Sequence, residues 1–155
     1  MIEYYSGRDR PLDEEGVKSH YFLRSAEPTA GGVEEYEPCI LEVDGRAIGF
    51  VQFYRIRKAD SEQFRYSLSE RTFGIDLFIG DPVQWGRGLG TRALSLTTGY
   101  LQREKGARRV VADPRADNER SIRAFEKAGF RKVKKLPKHE VFEGTPRDCW
   151  LMEWP

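Results

Sequence analysis

Cysteine and histidine are scarce in this 155-residue chain, with two of each. Cys39 and Cys149 lie far apart without CxxC spacing, and His20 and His139 have no ligating residues beside them in sequence. A disulfide framework and a metal centre are therefore excluded as organising features, and no metal is expected. Long apolar runs are missing too: nothing reaches the length of a bilayer span, and the polar start MIEYYSGRDR carries no signal core. No membrane partner is expected, and the cytoplasm is the expected compartment. Charge of one sign is also lacking, because 26 basic and 25 acidic residues leave a net charge of +1. Such a balance gives no long-range field to draw nucleic acid. Internal repeats, low-complexity tracts and linkers are absent, so residues 1–155 read as a single domain whose 39% apolar content can fill one core.

What is present reads as alternating strands and helices. Pro11 with an acidic first turn predicts a helix to about Ser25. CILEV and AIGFVQFYRI flank an Asp44-Gly45 turn, which predicts a β-hairpin. Residues 57–71 read as a charged, irregular loop, and TFGIDLFIG after them as a strand. From Leu89 the small or apolar residues Ala93, Leu94, Thr97, Tyr100 and Leu101 recur at helical spacing, with Gly106 placed to end that helix. ARRVVA is a short strand, and Asn118 caps a second helix carrying Ile122 and Phe125 that Gly129 closes. FRKVKKL and RDCWLMEW are two final strands joined by a turn containing Gly144 and Pro146. Hairpins combined with two crossover helices give an α+β class with a mixed central sheet flanked by helices.

Between the third strand and its helix stands QWGRGLGT, residues 84–91, with glycines at 86, 88 and 90. Bare backbone at a helix start lets free N–H groups and the helix dipole approach an anion, so phosphate is the natural ligand. A nucleotide P-loop would need Gly-Lys-Ser/Thr, but Gly90 is followed by Thr91 and Arg92. A dinucleotide fingerprint needs its third glycine one residue later. A tight turn without ligand is the remaining plain reading.

The succession of strand, WGRGLGT, helix, strand and NxxxIRAFEKAGF resembles the GNAT family of N-acetyltransferases over roughly residues 33–155. The resemblance implies the GNAT sheet and acetyl-CoA as co-substrate. It places the cofactor on Leu77, Phe78 and Ile79 of a strand that splays from its neighbour, and on the loop residues Trp85, Gly86, Arg87, Gly88, Leu89, Gly90 and Thr91. Asn118, Phe125 and Lys127 would complete that site. Two positions depart from the family pattern. Trp85 stands where Gln or Arg is usual, with Gln84 displaced by one, and Phe125 stands where many members have a tyrosine that protonates the departing thiolate.

Within the family the chain looks most like the aminoglycoside 6'-N-acetyltransferases, on EYYSGRD, GFVQFY, FGIDLFIG, ADPRADN and EGTPRDCWLM. That likeness implies a small-molecule amine acceptor, with Asp76 as catalytic base and Asp113 binding a second ammonium. Tyr4, Tyr5, Tyr21, Gln52 and Tyr54 would line a sugar pocket, and Glu34, Glu35 and Glu37 would make its mouth negative. The chain also reads as starting past the family's first strand and helix: either the fold lacks that edge or the sequence is incomplete at its N-terminus, and a missing strand would expose a sheet edge and invite a homodimer. Three alternatives stand beside this reading: the same chemistry on a siderophore hydroxylysine, polyamine or peptide, a non-catalytic acyl-CoA-binding module, and a phosphate-binding domain unrelated to CoA.

Overall fold

In the computed structural model, which describes residues 36–56 and 71–155, Asp44 and Gly45 turn the chain at φ values of 50° and 73°. They join β1 (Glu37–Val43) to β2 (Arg46–Arg55) as the expected hairpin. The predicted helix over 11–25, Tyr4, Tyr5, Tyr21, Glu34, Glu35, residues 57–70 and the question of a missing first strand and helix lie outside the described residues.

Four more strands follow: β3 (Thr72–Ile79), β4 (Arg109–Ala112), β5 (Arg131–Phe142) and β6 (Thr145–Trp154), in a six-stranded sheet of order β1-β2-β3-β4-β6-β5. Among the described strands only β3 and β4 run parallel, because α1 (Leu89–Glu104) carries the chain back between them; the other described pairings are antiparallel. The shorter α2 (Glu119–Lys127) joins β4 to β5. Asn118 caps it by accepting from the Ser121 N–H at 3.2 Å, and Gly129 at φ 96° closes it. No helix among the described residues is long and apolar enough to cross a membrane.

Side-chain alternation along the strands separates two cores. Val51, Phe53, Phe73, Ile75, Val110, Ala112 and Met152 pack with Leu94 and Leu101 of α1 and with Ile122 and Phe125 of α2. The opposite face holds a smaller cluster of Ile56, Val111, Leu136, Cys149 and Leu151. Both described helices therefore cover one face. Leu94, Leu101 and Leu151 are completely buried, each contributing about 1.5–3 kcal/mol relative to an exposed position.

Three details differ from the sequence reading. On α1 the buried threonine is Thr98, whose hydroxyl donates to the Leu94 carbonyl at 3.0 Å, while Tyr100 is partly exposed against the Phe53 ring. Positions 97 and 98 lie about 50° to either side of the Leu94–Leu101 line, so helical spacing alone does not choose between them. Second, β5 continues through Pro137 to Phe142 instead of ending near Leu136, because a register shift between Leu136 and Glu140 absorbs the proline. Third, the turn is at Glu143 and Gly144, and Pro146 belongs to β6 opposite Val141.

Both cysteines are free thiols. Burial, with the Asp113 and Glu140 carboxylates adding to it, pushes the Cys149 thiol up to about 12. At pH 8 only about one molecule in ten thousand is then the reactive thiolate. Iodoacetamide on the native protein should label the exposed Cys39 and spare Cys149 until denaturant is added, as peptide mass mapping will record.

Candidate functional site

The parallel pairing of β3 with β4 lasts for three residues, Thr72↔Arg109 to Gly74↔Val111. Beyond Gly74, β3 runs on to Ile79 paired only with β2 among the described strands. The strands part there, leaving a stretch of β3 backbone edge available to an extended ligand. A cavity of about 390 Å³ opens at this point, lined by the end of β3, the glycine loop, the start of α1 and one face of α2.

The loop is built from the end of β3. The Asp81 carboxylate accepts from the Val83 N–H at 3.0 Å and nucleates one 3-10 turn, Pro82–Gln84. The Trp85 indole N–H donates back to the Ile79 carbonyl at 2.8 Å, pinning the loop to the strand it has left. Gly86 and Gly88 follow at φ 75° and 78°, which a side chain would disfavour, and Gly88 is the N-cap of α1. Among the described residues no side chain caps this 16-residue helix, so the first-turn amides around Leu89, Gly90 and Thr91 face the cavity without an intrahelical acceptor.

Positive charge comes from α2. Arg120, Arg123 and Lys127 line the cavity with Asn118, Ser121, Ala124 and Phe125. The Arg120 guanidinium lies 3.6 Å from the centre of the Trp85 ring, and Arg123 pairs with Glu119 at 2.9 Å. Phe125 is buried edge-on against Phe130, with no hydroxyl to offer. The cavity thus presents free amides at one side, cations at another and apolar walls between, a surface suited to a phosphorylated ligand with a long neutral arm.

Twelve of the thirteen residues expected at the cofactor line this cavity: Leu77, Phe78, Ile79, Trp85, Gly86, Gly88, Leu89, Gly90, Thr91, Asn118, Phe125 and Lys127. Arg87 is the exception, since its exposed guanidinium donates to the Gln84 side-chain oxygen at 2.8 Å. Sequence reasoning does not single out Arg120 or Arg123. Their signal is the NERSIR segment, which sets two arginines three apart on one helix face.

Among the described residues, Gln52, Tyr54 and Asp76 of the expected acceptor site share the sheet face opposite the helices. Register places Phe50 beside Phe78, Gln52 beside Asp76 and Tyr54 beside Gly74. The first pair stacks at 5.5 Å, and the Gln52 amide donates to the Asp76 carboxylate at 2.6 Å. The Tyr54 ring lies across Gly74, where any added Cβ would collide with it, and Tyr36 packs on that ring at 4.9 Å. Asp76 directly precedes Leu77 and Phe78, so this row borders the cavity. Asp113, just past the end of β4, is 3.0 Å from the His139 ring. Glu37 is ion-paired with Lys105 at the end of α1.

The family model described as an acetyltransferase (GNAT) domain matches residues 18–137. The aminoglycoside N(6')-acetyltransferase type 1 of Klebsiella pneumoniae is 26% identical over 132 residues, covering 85% of this chain and 63% of that protein. The chain thus spans less than two thirds of that relative. Among solved structures, AAC(6')-Ib in complex with ribostamycin and coenzyme A superposes with a TM-score of 0.71 at 21% identity, covering 99% of this chain and 79% of that one. A spermidine N-acetyltransferase SpeG chimera from Vibrio cholerae and hSSAT gives 0.72 at 14% identity, with 96% and 84% covered. At these identities the two superpositions establish a shared fold.

Proposed function

Because this chain belongs to the GNAT family of acetyltransferases, we propose that it moves the acetyl group of acetyl-CoA onto a primary amine, with an aminoglycoside 6'-amino group as acceptor. The observation that carries this reading is the parting of β3 and β4 directly beside the glycine loop and the uncapped start of α1. An extended amide chain such as pantetheine fits the edge of β3 beyond its pairing with β4, and a pyrophosphate fits the first-turn amides. Acetyl-CoA supplies a thioester carbonyl open to attack and a thiolate that leaves readily.

The residues then divide the work. The amides at Leu89, Gly90 and Thr91 hold phosphate oxygens, while Arg120 and Lys127 add positive charge nearby. Stacking on Trp85 fixes Arg120 before any ligand arrives, so less side-chain freedom is lost on binding. Arg120→Ala should raise the KM for acetyl-CoA about five- to tenfold with kcat little changed, the value of one charge-assisted contact. Steady-state kinetics at saturating acceptor will show it.

Asp76 takes the proton that an ammonium must lose before its nitrogen can attack, with Gln52 holding the carboxylate in place. Asp113 holds a second ammonium of the same polycation, and Tyr54 offers a ring for a sugar to stack on. Phe125 has no proton to give, so the departing thiolate takes one from solvent. The likeness to the Klebsiella pneumoniae enzyme over 85% of the chain supports an aminoglycoside as the acceptor.

Release of free thiol from acetyl-CoA tests the proposal, with kanamycin-type aminoglycosides set against spermidine, lysine derivatives and a short peptide. Saturable turnover confined to aminoglycosides is expected. Turnover confined to spermidine or lysine would keep the chemistry and replace the acceptor.

A further inference from the structure

The Asp113 contact comes from a residue that no functional reading uses. His139 sits on β5 inside the register shift between Leu136 and Glu140, where Lys138 takes the unusual φ of 52°. The Lys138 N–H donates to the Asp148 carboxylate at 3.0 Å, which anchors the irregularity to β6. This local break turns the His139 imidazole inward, to 11% side-chain exposure, with Nε2 3.0 Å from Asp113 Oδ2. A regular strand carrying Pro137 would have no reason to hold such a geometry.

We propose that His139 is a positioning residue of the acceptor site, which orients the Asp113 carboxylate and, when protonated, withdraws it from cationic substrates. The inference rests on the reading of Asp113 as an ammonium-binding residue. A neutral imidazole donates Nε2–H to the carboxylate and leaves its negative charge available to an ammonium. An imidazolium in the same place neutralises that charge. Acidification therefore removes the acceptor's partner, and affinity for a polycation falls as pH falls.

Other charged groups border the pair. From the segment after β4, Arg115 pairs with Asp117 at 3.0 Å, and Arg147 of β6 reaches the same carboxylate at 3.8 Å. Glu140, next along β5, is held above the usual carboxylate range, chiefly by burial. Glu140 also takes up a proton on acidification, so it is the group from which His139 must be separated.

The test is calorimetric binding of kanamycin and of spermidine to the full chain saturated with CoA, between about pH 5.5 and pH 8, where these amines stay largely cationic. In the unaltered protein the Kd should rise about fivefold towards the acid end, the size of one partly exposed ion pair. His139→Gln keeps a donor for Asp113 but cannot become cationic, so it should bind normally at pH 8 and lose the acid weakening. Glu140→Gln should retain the weakening. Equal thermal midpoints for the variants and the unaltered protein at pH 8 exclude a folding defect. If the His139→Gln protein weakens in acid as much as the original while CoA and cation both bind, the inference is overturned and the acetyltransferase reading stands. If CoA does not bind at all, the acetyltransferase reading fails and takes the inference with it.

Discussion

Asp76→Asn should lower kcat/KM for the acceptor amine by about 10²–10⁴-fold at neutral pH, the range attached to a positioned general base. The substitution is nearly isosteric, and its amide oxygen can still accept from Gln52, so the β2–β3 pairing around it should survive. Loss of activity with an unchanged thermal midpoint then isolates the proton-accepting role. The pH profile separates chemistry from simple positioning. Near neutral pH almost every alkyl ammonium carries its proton, and the enzyme must remove it. Towards pH 9 a growing fraction of amine is already free, so the deficit of the Asn variant should shrink. A deficit equal at every pH would make Asp76 a binding group rather than the base, and no deficit would remove it from the mechanism. KM for acetyl-CoA should stay the same throughout, because Asp76 points to the sheet face opposite α1 while the phosphate-binding amides belong to α1 itself.

Gly88→Val should weaken acetyl-CoA binding about 10–100-fold. An added Cβ at Gly88 meets no protein atom within 4 Å, so protein crowding is not the cause. The cause is the backbone, because φ 78° at the N-cap of α1 is a conformation that a β-branched residue avoids. Strain of about 1–3 kcal/mol forces the loop to shift. The first-turn amides then lose their aim at the phosphates, and each 1.4 kcal/mol lost is about tenfold in affinity. Gly90→Ala is the informative contrast. Gly90 already lies in the helix, and its added Cβ would sit 3.7 Å from the Leu77 side chain, an ordinary contact. Alanine favours helix by about 1 kcal/mol over glycine, so this variant should be slightly more stable and bind nearly as well. Weak binding by both variants, or by neither, would contradict an anion site that depends on the Gly88 conformation.

The parts of this molecule legible in the sequence are those fixed by short-range rules. Asp44-Gly45 marks the hairpin, Asn118 and Gly129 bound α2, and the glycines at 86 and 88 occupy positions of positive φ. The cavity lining follows because a loop–helix motif and a capped helix carry most of it in two contiguous runs. What escapes depends on strands meeting far from each other in sequence. Pro137 suggests the end of a strand to any local reading, but a bulge lets β5 pass through it, and that bulge brings His139 to a residue 26 positions away. Arg120 is hidden for a related reason, since its stacking partner Trp85 belongs to another loop. Trp85 itself departs from the family pattern, yet its indole bond to Ile79 gives it a structural use there.

The proposed activity depends first on acetyl-CoA binding in the cleft where β3 and β4 part. Isothermal titration of acetyl-CoA into the protein, repeated with CoA or ATP present as competitor, tests it most directly. Saturable binding at a single site is expected, displaced by CoA, barely affected by ATP and sharply weakened in the Gly88→Val protein. Absence of binding, or displacement by ATP as effective as by CoA, would contradict it and leave the loop as a general phosphate site.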